Sequence, residues 1–282
     1  MATNKRAGRS GDPARSGAAE DAREARRAKA AALRRRELAK ERSRRVVLVS
    51  AAVVLALAVV AAIVVLVVRQ RSQDAAQDEA ASTTEGVAPP SADGEAGGYV
   101  LTGTPAAGAP TLDIWIDYQC PYCKQFEDAA GETYVQLAAE GQARVVVHTL
   151  TFLDANLGNT ASQLAAEGAA AADVQGRFAE YTEVVFGNQP EEGDGYALQD
   201  LRDYAGEAGV TDLDAWQQAV EAHTYAGYVN RVEAQMAAAD VQGTPTVRLT
   251  TAAGETTDLA VDELLGSDPA TYLQAQVAAA TA

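Results

Sequence analysis

The sequence predicts an α/β domain of ββαβ, helical block and ββα order, preceded by a single membrane-spanning helix. Three observations predict it. An uncharged apolar run of 23 residues fills 46–68, a Cys-x-x-Cys sits between an alternating apolar strand and a helical pattern, and GTPTVRLT at 243–250 returns to strand character before a hairpin and a last helix.

Charge divides the chain at the apolar run. Residues 1–45 carry 15 Lys+Arg against 6 Asp+Glu, while everything after residue 68 carries 8 against 33, so that the overall charge of −16 joins a basic tail to an acidic remainder. An acidic folded part repels phosphate backbones, which argues against nucleic-acid binding. As a helix, the run 46–68 is about 34 Å long, enough for a hydrocarbon core of about 30 Å. A cleaved signal peptide fits poorly, because its apolar region is shorter and no small-residue cleavage site follows directly. Arg44 and Arg45 end the basic stretch, whereas only Arg69 and Arg71 follow the run closely. The positive-inside rule then places 1–45 in the cytoplasm and 69–282 outside a cell membrane.

Residues 1–19 read as disordered, and 20–45 as a solvated basic helix drawn to anionic lipid. From 69 to 98 large apolar residues are almost lacking, which predicts a flexible linker holding the domain on the order of 25 to 30 Å from the membrane. The globular domain is expected over 99–282. A short strand at 99–101 precedes a second at 111–118, where Leu112, Ile114 and Ile116 alternate with Asp113, Trp115 and Asp117. A helix follows to Gly141, its C-cap, and then a strand at 144–150. The helical insertion spans about 155–240. Within it Phe178, Tyr181 and Trp216 read as core, and Thr211 with Asp214 reads as a capping-box-like start. The strand at 243–250, a turn at Ala253 and Gly254, a strand at 255–259 and a helix from Asp268-Pro269 to about 280 complete the order.

Cys120 and Cys123 are the only cysteines. At a helix start, unpaired N–H groups and the positive end of the dipole favour a thiolate, so Cys120 reads as the exchanging sulfur and Cys123, one turn inside, as the resolving one. Pro121 suits the first helical position. Zinc is disfavoured, since no second cysteine pair exists and His148 and His223 lack ligand spacing; neither metal nor cofactor is expected. Both histidines read as structural.

With CPYC on a βαβ unit, a helical insertion, GTPT and a ββα finish, the chain from about residue 99 to its end resembles the thioredoxin superfamily, in its membrane-anchored DsbA-like branch. The resemblance implies a thioredoxin fold and a thiol-disulfide oxidoreductase. It implies further that Pro245 is cis and lies against the cysteines, and that Thr244 bonds an extended peptide through its backbone, with Pro121 and Tyr122 beside the substrate. Exported protein thiols would be the substrates and a membrane oxidoreductase would recharge the pair. No dimerisation segment stands out, so a monomer is expected. Two departures leave the direction of electron flow open: Tyr122 stands where DsbA has His, and Ile114 where relatives place a buried acid. Asp113 and Asp117, on either side of Ile114, could assist a proton transfer or be exposed strand residues, and exposure is the expectation. A reductase, an isomerase, or a tethered peptide-binding scaffold with an inert bridge are the alternatives.

Overall fold

In the computed structural model the described residues are 97–281, 82–94, and, further towards the N-terminus, 27, 29, 34–36, 40, 44, 48, 55, 58–60, 62–68 and 80. The chain separates into two compact units, Met1–Arg71 and Ser72–Ala282. In the first, the described residues are helical, and Ile63, Val64, Leu66 and Val68 are exposed. Most of the expected disordered stretch, the basic helix and the first half of 46–68 lies outside the described residues. Among the described residues no helix is long and apolar enough to cross a membrane.

The second unit is built on a five-stranded sheet, β1 (Tyr99–Val100), β2 (Thr111–Asp117), β3 (Arg144–Leu150), β4 (Thr246–Thr250) and β5 (Thr256–Asp258), ordered β1-β3-β2-β4-β5. Only β2 and β3 run parallel, joined by helix α1 (Pro121–Ala139); the other pairings are antiparallel. In central β2, Leu112, Ile114, Ile116 and also Trp115 and Asp117 are buried, because helices and loops cover both faces. Gly141 ends α1 at φ 71°, where a Cβ would lie 2.4 Å from the Thr104 carbonyl oxygen.

Between β3 and β4 stand α2 (Phe152–Leu157), α3 (Ala161–Asp173), α4 (Phe178–Gly187), α5 (Leu198–Glu207), α6 (Leu213–Glu221) and α7 (Ala226–Ala238). The insertion therefore starts at Phe152, slightly earlier than expected. Alanine-rich α3 is its centre, packed by α4, α5, α6 and α7. Small side chains make this approach possible, since the Trp216 indole N–H donates to the Gly168 carbonyl at 2.8 Å. Helix α6 begins at Asp212, whose carboxylate accepts from the Ala215 N–H at 2.9 Å. Thr211 is not its cap, because its N–H and hydroxyl both donate to Gln175. Helices α8 (Val261–Leu264) and α9 (Pro269–Thr281) finish the chain, with α9 packed on α1.

The linker expectation is corrected over its second half. Asn230 donates to the carbonyls of Ala80 and Thr83, Arg231 to those of Thr84 and Gly86, and Ser91 bonds to Asp173 through N–H and hydroxyl. Ala80 is 3% exposed. The described residues from 80 to 98 thus form a strap along α7 and the β1 edge. Side chains of Asn230, Arg231 and Asp173 satisfy its backbone polar groups, which explains why a segment without large apolar side chains still docks.

Candidate active site

Strand β2 ends at Asp117, and the turn through Tyr118 and Gln119 delivers Cys120 to the N-cap of α1 with extended φ −77°, ψ 117°. The Cys120 N–H donates to the Asp117 carbonyl at 3.0 Å, and the Lys124 N–H donates to the Cys120 carbonyl at 3.2 Å. Pro121 takes the first helical position, where a missing N–H leaves no gap. Both cysteines are free thiols. Cys120 is 6% exposed and Cys123 fully buried.

The two sulfurs differ electrostatically. Hydrogen bonding from Cys123, with help from Thr244 and the backbone N–H groups of Cys123 and Tyr122, outweighs burial and lowers the Cys120 pKa to about 6. Burial pushes Cys123 up, well above the ordinary thiol range, and the neighbouring Cys120 adds to this. One thiolate therefore resides on Cys120 near neutral pH, held in place by its protonated partner. Across from it, the Cys120 sulfur, when protonated, donates to the Thr244 carbonyl at 3.4 Å, and the Thr244–Pro245 peptide is cis. Pro245 is buried, Thr244 half-buried, while Pro121 and Tyr122 are exposed, Tyr122 by 60%. The structure thus gathers Cys120, Cys123 and Thr244 and leaves Tyr122 open to a partner.

Exposure was the expectation for Asp117, and the structure corrects it. Asp117 is fully buried, accepting from the Ser162 hydroxyl at 2.6 Å, the Gln119 N–H at 2.9 Å and the Leu153 N–H at 3.2 Å. Burial raises its pKa to about 7, against the lowering by those donors. Sequence periodicity placed it on a strand face but could not show that α2 and α3 close over that face. Asp113 pairs with His148 at 3.0 Å, His148 stacks on Trp115, and His223 pairs with Glu167 at 3.1 Å. Among the described residues no cluster of His, Cys, Asp and Glu is arranged to hold a metal.

Residues unnoticed in the sequence complete the surroundings. The Gln119 amide nitrogen lies within 2.8 to 2.9 Å of acceptor oxygens on Asp154, Asn159 and Ser162. Gln189, between α4 and α5, donates to the carbonyls of Tyr118 and Cys120. Lys124 reaches the Phe186 carbonyl at 2.8 Å and Asp128 at 3.0 Å. Apart from Lys124 with Asp128, an i,i+4 pair, no local pattern marks these partners, which lie far along the chain. A cavity of about 1400 Å³ between α1 and α4, lined by Glu127, Tyr134 and Phe178 among others, includes neither cysteine.

Residues 95–258 match a protein-family model described as Thioredoxin. No curated protein matches the chain. Among solved structures, the chain is similar to MdbA, a thiol-disulfide oxidoreductase from Actinomyces oris, at 20% identity and TM-score 0.57, over 69% of this chain and 93% of that one. It is also similar to MdbA from Corynebacterium diphtheriae, at 18% identity and TM-score 0.52, over 66% and 96%. BdbD from Bacillus subtilis aligns at 17% identity and TM-score 0.50, over 64% and 98%. These likenesses share the fold described above, and the sequence match covers both cysteines, Thr244 and Pro245: the chain belongs to the thioredoxin family.

Proposed function

We propose that the chain is a DsbA-like thiol-disulfide oxidoreductase that oxidises thiols of exported proteins from the outer side of a membrane. The observation that carries this reading is the asymmetric pair, Cys120 lowered to about pKa 6 beside a buried, protonated Cys123. With the Cys120–Cys123 disulfide formed, a substrate thiolate attacks the Cys120 sulfur. The Cys120–Cys123 bond breaks, Cys123 leaves and takes up a proton, and a mixed disulfide joins substrate to Cys120. A second substrate thiolate then attacks the substrate sulfur of that bond and releases Cys120 as thiolate. Two electrons pass from substrate to enzyme, and the substrate leaves with a disulfide. A depressed Cys120 pKa stabilises the reduced enzyme, which favours the oxidising direction. MdbA of Actinomyces oris, similar in fold, is a thiol-disulfide oxidoreductase by its name.

Placement outside the membrane is supported by the basic residues 1–45 before the uncharged run 46–68 and by the acidic remainder after it. Exposed apolar side chains on the described helical residues 62–68 agree with it. In this reading anionic lipid holds the basic tail, a membrane oxidoreductase recharges the pair, and the enzyme acts as a monomer.

The test is to mix the oxidised full chain with a reduced peptide dithiol and to trap the pair with an alkylating agent in growing cells. Peptide oxidation by wild type but not by Cys120→Ala, with a mostly oxidised pair in aerobic cells, is expected. Exchange with a mostly reduced pair would instead favour a reductase or isomerase, and absence of exchange would leave a scaffold with an inert bridge. Alkaline extraction should leave the full chain in membranes; its release would overturn the anchor.

A further inference from the structure

The turn that brings the chain from β2 to Cys120 is held from outside the sheet. Strand pairing of β2 ends at Asp117, so the Tyr118 carbonyl has no ladder partner. Two side chains from the segment between α4 and α5 satisfy it instead: the Tyr196 hydroxyl donates at 2.7 Å and the Gln189 amide at 2.8 Å. The same Gln189 nitrogen lies 3.1 Å from the Cys120 carbonyl. A side-chain amide has two N–H donors, so both bonds form at once. Gln189 is itself fixed at the end of α4, where its N–H donates to the Phe186 carbonyl.

We propose that Gln189 is a positioning residue for Cys120, holding the carbonyls at both ends of the Tyr118–Cys120 turn and thereby setting the environment of the reacting sulfur. The Cys120 carbonyl belongs to the same residue as that sulfur, and its oxygen carries a partial negative charge that opposes a nearby thiolate. Its only backbone donor, the Lys124 N–H, stands at 3.2 Å. An amide donor on that oxygen cancels part of its field, and in a half-buried site such dipoles act with little solvent screening. The helical insertion thereby reaches the reacting residue without touching the sulfur. Tyr196 differs in one respect that makes a control: it shares the Tyr118 carbonyl with Gln189 but makes no bond to Cys120.

The inference rests on the reading of the pair as a redox couple, but its readout does not require turnover. In the reduced full-length protein, the pH dependence of Cys120 alkylation is measured for wild type, Gln189→Met, Gln189→Glu and Tyr196→Phe, together with the reduction potential and Tm. Gln189→Met should raise the Cys120 midpoint by about half a pH unit or more, roughly a threefold fall in the ratio of thiolate to thiol, and make the pair more reducing. Gln189→Glu, which turns a carboxylate towards two carbonyls, should raise it further, and it keeps the test open if the Met variant fails to fold. Tyr196→Phe should lower Tm and leave the Cys120 midpoint in place. Variants of Gln189 that lower Tm while titrating like wild type would reduce Gln189 to a structural residue and overturn the proposal. Failure of wild type to exchange thiols would strike the proposed function alone, since the titration still reports on Gln189.

Discussion

The Cys120 thiol donates to the carbonyl oxygen of Thr244 at 3.4 Å, across 124 positions of sequence. This contact joins the start of α1 to the start of β4, which antiparallel pairing with β2 has already brought alongside, from Trp115 opposite Thr246 to Thr111 opposite Thr250. The sheet register therefore decides that the Thr244–Pro245 segment faces the reacting sulfur. Loss of the thiol proton opens this contact and leaves the Cys120 thiolate with the exposed Tyr122 beside it.

Replacing Cys123 with Ala should have two effects at once. Mixed disulfides with substrate should accumulate, because the resolving thiol is gone. The Cys120 pKa should also rise from about 6, since hydrogen bonding from Cys123 is the largest cause of its depression. Alkylation of Cys120 across pH measures the second effect, and a midpoint unchanged from wild type would show that Thr244 and the helix N-terminus suffice to hold the thiolate.

Glu127 gives the fold a pH dependence that can be read separately from the cysteines. Burial raises its pKa from 4.5 to about 8, although the Tyr134 hydroxyl donates to its carboxylate. The folded state thus binds the Glu127 proton more tightly than the unfolded chain does. Its contribution to stability is present below the unfolded pKa and is lost as pH rises from about 4.5 through about 8. Glu127→Gln keeps an acceptor for Tyr134 and removes the titration. Denaturant unfolding at several pH values should show the variant overtaking wild type at high pH; parallel curves would contradict the assignment.

Much of this fold was legible because its signals are local. The alternation of Leu112, Ile114 and Ile116, the Cys-x-x-Cys before a helical stripe, and Gly141 after it each act within a few residues. Asp117 was misread because its partners Leu153 and Ser162 stand 36 and 45 positions away, and period-two alternation identifies a face but not what covers it. Gln189 was invisible for the same reason, lying 69 positions from Cys120. The strap was misread because composition measures what apolar surface a segment can bury, whereas these residues dock through their backbone carbonyls, which accept from the side chains of Asn230 and Arg231.

Gly168 is needed for the closeness of α3 to its neighbours. A Cβ there would lie 2.2 Å from the Tyr181 hydroxyl and 2.8 Å from the Trp216 ring. Both aromatic side chains are fully or almost fully buried. Gly168→Ala should destabilise the domain by about 1 to 3 kcal/mol, the usual range for overpacking. Thermal unfolding measures the loss, and altered Trp216 fluorescence would locate it; an unchanged Tm would mean that α3 can shift without penalty.

Gly227 performs the matching task for the strap. At this position in α7 a Cβ would stand 1.8 Å from the carbonyl oxygen of Glu85, so the strap's backbone rests where any side chain would sit. Gly227→Ala must therefore push residues 84–86 outwards, which also disturbs the bonds from Arg231 to the Thr84 and Gly86 carbonyls. The strap has few apolar contacts of its own, and once those bonds open it should be cut readily by proteases. Limited proteolysis of the full chain should show faster cleavage between residues 80 and 94 in Gly227→Ala. The Cys120 pKa should stay near 6, because the strap's bonds run to α7 and Asp173 and not to the turn that carries Cys120. A strap that detaches without altering Cys120 is a spacer; a shifted Cys120 pKa would show that its docking reaches the active site through α7 and the sheet.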